Sequence, residues 1–435
     1  MARNVVPLAY SRASPGAAAD GPLYSGYVIA VLVVVYTFNF IDRVGLGILA
    51  GPIKAELHLT DTQLGLIGGT AFALFYTALG IPVGRLADRL NRVRIMAVAL
   101  AVWSAFTALC GFAPSFAALF AARLGVGVGE AGGVAPAYSL IADYFAPRSR
   151  ARAIAFFSLG IPFGSSLGVF FGGYIASGVG WRAAFIVLGI AGLLLAPVLA
   201  VTVREPERGR FEALPAALSQ PSWREVAAKL TAKPSFWLLS LGAGCGSLMG
   251  YGLLFWLPSF FVRTYALTLP AVARLLGTLL LAGGVAGILL GGLLADRYGP
   301  RARAAYALIP ALAFLGIVPC YAVGTALPLG PLAYLCFLIP AALQVMWLGP
   351  IIAAIQHLVP AAMRAVASAL FLFINNLLGL GLGSWLLGFA SDRLAARFGT
   401  QSLHYAIVGG TGFYVLAAGL LLLAARRLAR DFEPE

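Results

Sequence analysis

Two adjacent charged residues, Asp42 and Arg43, stand inside the first long apolar stretch of the sequence. A charge at membrane depth costs about 2.5–3.5 kcal/mol on insertion scales, so charged residues there usually face a protein interior or a water-filled cavity. Such residues also mark ion, proton or substrate pathways. The pair therefore indicates a functional site within a membrane-embedded helix.

Each of the two side chains needs a partner on another helix, because adjacent residues point about 100° apart around a helix axis. A later apolar stretch supplies Arg123 and, deeper on the same face, Glu130. At 1.5 Å per residue, Asp42 lies ~13 Å and Arg123 ~12 Å from the same membrane surface. We interpret the four residues as one site in which the arginines bind an anionic group and Asp42 and Glu130 exchange a proton or a partner. The alternative is a purely structural ion-pair network, because the charges balance.

The second half of the chain has no Asp, Glu or Lys in the middle of an apolar stretch. Its polar candidates for ligand contact are Trp256, Asn375 and Asn376, among Leu, Phe and Gly. If the halves face each other across a cavity, one wall is charged and the other is apolar. That pairing suits an amphiphile better than a sugar, which requires hydrogen-bonding groups on both walls. The alternative is that many of these residues face lipid or a packed core.

The elements that position these residues are membrane-spanning helices. The chain has 435 residues, of which 61% are hydrophobic and only 11% are charged, whereas soluble domains average about 25% charged residues. At about 20 residues per span, the sequence predicts an all-α integral membrane protein with twelve transmembrane helices. Spans 1 to 6 are predicted at 24–50, 63–86, 95–112, 115–144, 152–177 and 181–203, and spans 7 to 12 at 234–263, 270–295, 304–323, 331–358, 366–392 and 403–426.

A charged stretch at 204–233 separates the two groups of six spans. We therefore predict a tail at 1–23, a six-helix bundle at 24–203, a linker at 204–233, a second bundle at 234–426 and a tail at 427–435. Lys and Arg are concentrated in the loops after spans 2, 4, 6 and 8, which predicts that the linker and both termini are cytoplasmic in the cell inner membrane. The same placement explains the net charge of +14 without a nucleic-acid partner.

A loop motif occurs at the same place in each half, as GRLADR at 84–89 and GLLADR at 292–297. An acid at a helix C-terminus opposes the helix dipole, so Asp88 and Asp296 need positive partners. Charge networks between moving elements are recurrent switch devices, so we predict that Asp88, Arg89, Asp296 and Arg297 act in gating. The alternative is an ordinary solvated loop. The duplicated motif resembles the signature loop of the major facilitator superfamily, which implies two pseudo-symmetric six-helix bundles.

Several stretches also resemble the Spinster family of lipid transporters. These are NFIDR at 39–43, RLGVGVGEA at 123–131, GIPFGSSLG at 160–168, WR at 181–182 and WLPSF at 256–260. Spinster proteins carry lysophospholipids or sphingosine-1-phosphate, and some are proton-coupled. The resemblance implies that Arg43 binds a phosphate-bearing head and that Asp42 and Glu130 belong to the coupling network.

The expected function is therefore secondary active transport, by alternating access, of an anionic lipid-like substrate, driven by a proton gradient and without other cofactors. The alternative is an exporter of drugs or small organic anions. We expect no enzyme, because the three histidines lie near span ends and no P-loop motif is present. The four cysteines lack C-x-x-C spacing, so we expect no metal. The expected partners are the substrate and membrane lipids, and the protein is expected to be a monomer.

Overall fold

The computed structural model describes residues 21–211, 223–360 and 363–433, and in that part of the chain it contains helices and turns but no β-strand. Residues 1–20 of the predicted tail, 212–222 of the predicted linker and 434–435 lie outside the described residues. Spans 1 to 6 are Pro22–Leu57; Asp61–Gly65, Leu66–Thr70 and Ala71–Ala87; Arg92–Cys110; Phe116–Glu130 and Val134–Tyr144; Pro147–Ser158 and Gly160–Val179; and Trp181–Thr202. Spans 7 to 12 are Pro234–Tyr265; Leu269–Tyr298; Ala305–Gly324; Pro331–Leu343 and Leu348–His357; Arg364–Phe398; and Ser402–Gly410 and Gly412–Asp431.

The predicted fold class is confirmed. Within the described ranges, eleven helical stretches are long and apolar enough to cross a membrane. The last of them, Val366–Asp431, is divided by the 3₁₀ turn Gly399–Gln401 into spans 11 and 12. One further short helix, Trp223–Thr231, follows the first half and precedes span 7.

Spans 4 and 10, predicted as continuous helices, are each interrupted. Span 4 stops at Glu130 and resumes at Val134, across a tight turn in which the N–H of Gly133 donates to the Glu130 carbonyl (3.0 Å). Glycine runs favour such a break, because glycine is a poor helix former. In span 10 the interruption packs against span 8, where a β-carbon added to Gly287 would lie 2.0 Å from the Ala342 carbonyl oxygen. The break in span 4 places Glu130 at a helix end.

The two halves meet mainly along two seams, between spans 5 and 8 and between spans 2 and 11, and spans 1 and 7 also touch. Glycines allow the second seam to close, since a β-carbon on Gly65 would lie 2.4 Å from the Ser384 carbonyl oxygen and one on Gly69 would lie 2.4 Å from that of Leu380. Among the described residues, the hydrogen bonds between the two bundles lie from the middle of the membrane to the end opposite the termini. We call that end the closed end.

Candidate substrate-binding and coupling site

The centre of the first bundle contains the ion pair that the sequence suggested between spans 1 and 4. The Nε of Arg43 donates to Oε2 of Glu130 at 2.7 Å, and the Nδ2 of Asn39 donates to the same oxygen at 2.7 Å. Glu130 is fully buried. Asn39 and Arg43 are four residues apart, so they lie on one face of span 1 and both reach the end of the first segment of span 4.

Aromatic rings surround the Arg43 guanidinium. Its central carbon lies 4.5 Å from the ring centroid of Tyr76, 5.0 Å from that of Phe72 and 5.1 Å from that of Phe40. A guanidinium over aromatic faces gains cation–π attraction and is shielded from water. One of its N–H groups, at Nη2, has no hydrogen-bond partner among the described residues. Arg43 is thus fixed in place but retains a donor for a ligand.

Arg123 and Asp42 occupy the same region but form no ion pair within 4 Å in the described part of the chain. Arg123 is 1% exposed, its guanidinium carbon lies 5.7 Å from the Phe72 ring centroid, and its Nε and Nη1 lack partners. Asp42 is buried and faces Trp103 and Thr107 of span 3. Of the four charged residues on spans 1 and 4, only Arg43 and Glu130 therefore form an ion pair among the described residues.

A cavity lies between the two halves beside the arginines. Its empty space, counted together with the part that is open to solvent, is about 450 Å³. The first half contributes Phe40, Arg43, Val44, Gly68, Phe72 and Arg123, and the second half contributes Tyr251, Leu254, Phe255, Leu380 and Ser384. One wall carries two cations, whereas the opposite wall is apolar apart from the Tyr251 and Ser384 side chains. This arrangement can bind a molecule with an anionic group at one end and an apolar body at the other.

The second-half residues suggested for ligand contact lie elsewhere in this conformation. The buried indole N–H of Trp256 donates to the Ser384 carbonyl oxygen at 2.7 Å and joins spans 7 and 11. The Oδ1 of Asn375 accepts from the Ser247 hydroxyl at 2.8 Å, which also joins these spans. Asn376 is half-buried on span 11 and is not among the residues that line the cavity. Tyr251, which does line it, was missed because nothing in the sequence separates it from other helix tyrosines.

The duplicated loop residues are exposed. Asp88, Arg89, Asp296 and Arg297 all face solvent, and none forms an ion pair within 4 Å among the described residues. Within the described part of the chain, Asp88 is held through its backbone: its carbonyl accepts from Arg208 at 2.7 Å and its N–H donates to the Gly84 carbonyl at 3.1 Å. Their role in gating stays a prediction, for a conformation in which the two loops meet other partners.

The closed end has an ion-pair cluster that the sequence did not reveal. The two terminal nitrogens of Arg263, at the end of span 7, donate to the two carboxylate oxygens of Asp61 at 2.7 Å each. Asp61 also accepts from Lys54 and from the Ser391 hydroxyl. Asp392 of span 11 accepts the backbone N–H groups at the start of span 2. The cluster joins spans 1, 2, 7 and 11, and we call it the closed-end lock.

A family model described as Major Facilitator Superfamily matches residues 32–384, most of the chain. The chain belongs to the major facilitator superfamily. It is therefore a multi-pass membrane transporter with a small-molecule substrate, the general activity of this superfamily. The helical architecture and the match agree with the duplicated loop motif.

Relatives of this superfamily member include both Spinster proteins and an efflux pump. An MFS-type efflux pump of Mycolicibacterium smegmatis is 34% identical over 420 residues, which cover 95% of this chain and 96% of the relative. Human protein spinster homolog 1 is 30% identical over 393 residues, covering 86% of this chain and 74% of the relative. A crystal structure of a bacterial homolog of the human lysosomal transporter Spinster, inward-facing and unoccupied, superposes with a TM-score of 0.85 at 32% identity, covering 94% and 99% of the chains. The resemblance to Spinster proteins is confirmed.

Proposed function

We propose that this transporter moves an amphiphilic anion of the lysophospholipid or sphingolipid type. The observation that carries the proposal is the pair of buried cations, Arg43 and Arg123, whose unpartnered N–H groups lie beside a cavity with an apolar opposite wall. A phosphate offers several acceptor oxygens to guanidinium donors, and charge-assisted hydrogen bonds of this kind are strong. The hydrocarbon tail would lie against Leu254, Phe255 and Leu380.

Charge balance supports proton coupling in the same site. Arg43, Arg123, Asp42 and Glu130 together carry no net charge, so an anion bound to the arginines leaves the buried site with an excess negative charge. An uncompensated charge at membrane depth is unfavourable, and uptake of a proton by Asp42 or Glu130 removes it. Substrate binding and proton binding then favour each other, and a proton gradient drives accumulation of the substrate.

The same proposal includes an orientation. We infer that the protein lies in the cell inner membrane with both termini cytoplasmic, because Lys and Arg are concentrated at that end. The closed end then faces outward, and the cavity opens toward the cytoplasm by separation of the two bundles there. Rocking of the bundles about the central site would present Arg43 alternately to the two sides.

A second candidate is export of drugs or small organic anions, which the similarity to an MFS-type efflux pump favours. The cation pair suits any organic anion, whereas the apolar wall distinguishes an amphiphile from a small hydrophilic one. The two candidates therefore differ in whether removal of the hydrocarbon tail abolishes binding.

A binding experiment on purified protein separates the candidates. The dissociation constants of a lysophospholipid, of an uncharged monoacylglycerol of equal chain length and of the glycerophosphate head alone are compared. The proposal predicts that Arg43→Gln and Arg123→Gln each weaken lysophospholipid binding about tenfold or more, the effect of a charge-assisted hydrogen bond. Monoacylglycerol binding is expected to change little, and Arg94→Gln, at an exposed arginine, is the matched control. Tight binding of tailless anions with no preference for the lysolipid would support the exporter instead.

A further inference from the structure

A polar patch stands on the membrane-facing surface where spans 5, 8 and 10 meet near the closed end. The Nη1 of Arg274, an exposed residue of span 8, donates to the hydroxyl of Tyr174 in span 5 at 2.9 Å. One turn deeper, the hydroxyl of Thr278 lies 3.2 Å from that of Tyr334 in span 10. A cation and three hydroxyl groups are therefore grouped across the seam between the two halves.

The surroundings of this patch indicate that it faces lipid. Arg274 lies on the same side of span 8 as the exposed Leu289, since 15 residues at 100° each bring the two within about 60°. Tyr174 lies in line with the exposed Phe163 and Phe170 on span 5, and the Phe170 and Tyr174 ring centroids are 4.7 Å apart. The patch thus belongs to the apolar outer surface of the protein and not to the cavity.

Its depth corresponds to the headgroup boundary. Span 8 has 30 residues and is therefore about 45 Å long, whereas the hydrocarbon core is about 30 Å thick. If the span is centred, each end projects about 7.5 Å beyond the hydrocarbon. Arg274 is five residues from the start of the span, again about 7.5 Å, which is the level of lipid phosphate and glycerol groups.

Arg274 has no carboxylate within 4 Å among the described residues, unlike two other arginines at the same end. Arg263 pairs with Asp61, and Arg182 pairs with Glu56 at 2.9 Å. A guanidinium has five N–H donors, and Arg274 uses one of them on Tyr174. The remaining donors point to a surface where the available anions are lipid phosphates.

We propose that this patch is a binding site for the headgroup of an anionic phospholipid, such as phosphatidylglycerol, in the leaflet at the closed end. The phosphate binds the Arg274 guanidinium and receives a hydrogen bond from the Tyr174 hydroxyl, whose oxygen accepts from Arg274, and one acyl chain lies along Phe170. Among the described residues, no carboxylate lies within 4 Å of Arg274 to pair with the ammonium group of a zwitterionic lipid, so the site selects anionic lipids. Basic pockets between transmembrane helices bind lipid head groups in this way.

A lipid in this site contacts both bundles. Tyr174 belongs to the first half and Arg274 to the second, and next to them a β-carbon on Gly173 would lie 2.7 Å from the β-carbon of Ala273. The two residues separate when the closed end opens. The lipid therefore stabilises the closed form, because it binds that form better than the open one. This inference requires membrane embedding but does not depend on the identity of the transported substrate.

Native mass spectrometry of the purified protein tests the site. Phosphatidylglycerol and phosphatidylcholine with identical acyl chains are titrated separately, and the populations of lipid-bound protein are compared. The affinity for the first phosphatidylglycerol is expected to fall roughly tenfold in Arg274→Gln, and less in Tyr174→Phe and Arg274→Lys, with phosphatidylcholine binding unchanged. Arg393→Gln, at another exposed arginine of the closed end, is the matched control and is expected to bind phosphatidylglycerol like the wild type.

Two results would overturn the proposal. Equal phosphatidylglycerol binding by wild type and Arg274→Gln means that the patch does not hold the lipid. An equal loss in Arg274→Gln and Arg393→Gln means that general surface charge, not a built site, attracts it. Thermal unfolding of each variant in the same detergent separates either outcome from misfolding.

Discussion

The closed-end lock predicts how strongly one ion pair biases the two conformations of the transporter. Arg263→Gln removes both hydrogen bonds to Asp61, each 2.7 Å long, that join span 7 to the start of span 2. A hydrogen bond to a charged group contributes about 1.5–3 kcal/mol, and the Arg263 side chain is 24% exposed, which weakens the pair by solvent screening. We therefore assign about 2 kcal/mol to the whole interaction. Its loss is expected to raise the ratio of the open to the closed form roughly thirtyfold.

The assay is a distance measurement between spin labels on the two halves. The labels are placed by Ala55→Cys in span 1 and Ala396→Cys in span 11, both exposed near the closed end, in a background without the native cysteines. The wild type is expected to give one short distance. Arg263→Gln is expected to add a second, longer population, because the closed form loses the ion pair of span 7 with Asp61 and keeps the hydrogen bonds of Asp392 and Ser391 to the start of span 2.

The matched control is Arg182→Gln. Arg182 pairs with Glu56 at the same end of the molecule, but both residues belong to the first half. Its loss is expected to leave the distance distribution unchanged. The reasoning is refuted if Arg263→Gln also leaves the distribution unchanged, or if Arg182→Gln lengthens it equally.

Three further predictions concern single side chains. Gly69→Ala, whose β-carbon would lie 2.4 Å from the Leu380 carbonyl oxygen, is expected to lengthen the same label distance, whereas Gly80→Ala, with nothing within 4 Å, is not. Arg43→Lys is expected to bind the lysolipid several-fold more weakly than the wild type. Lysine lacks the planar group that lies over Tyr76, and it cannot bond Glu130 through one nitrogen while offering another to the ligand. Equal affinity would mean that charge alone matters. Arg92→Gln leaves the carboxylates of Asp143 and Glu205 without their buried cation. The free energy of unfolding is expected to fall by about 3 kcal/mol, which is measured as a lower unfolding temperature. The exposed Arg94→Gln is expected to unfold at the wild-type temperature.

The sequence was sufficient for the number and type of helices because hydropathy and length determine membrane spans directly. It was also sufficient to group Asp42, Arg43, Arg123 and Glu130 on spans 1 and 4. Helix rise matched the depth of Asp42 to that of Arg123 and did not single out the pair of Arg43 with Glu130 that forms. Helix rise does not give the rotation of one helix against another. For that reason Asp42 turns toward span 3, and Arg123 is left beside the cavity without a carboxylate partner.

Contacts between the halves were beyond prediction for another reason. Asp61 and Arg263 stand at span ends, where a charge is ordinarily solvated, and they meet only in the conformation with this end closed. The interruption of span 4 after Glu130 was likewise hidden, because its glycines fit close helix packing as well as a turn. Trp256 and Asn375 have the chemistry of ligand contacts, but their hydrogen bonds join spans 7 and 11 in this conformation.

The central claim is that Arg43 binds the substrate anion and that Glu130 couples it to protons. Lysophospholipid uptake by proteoliposomes, with and without an imposed pH gradient, tests this claim most directly. The wild type is expected to accumulate substrate under the gradient. Glu130→Gln is expected to lose the gradient response while it still exchanges substrate across the membrane, and Arg43→Gln is expected to lose both activities. Uptake by the wild type that is the same with and without the gradient, or wild-type uptake by Arg43→Gln, would contradict the account.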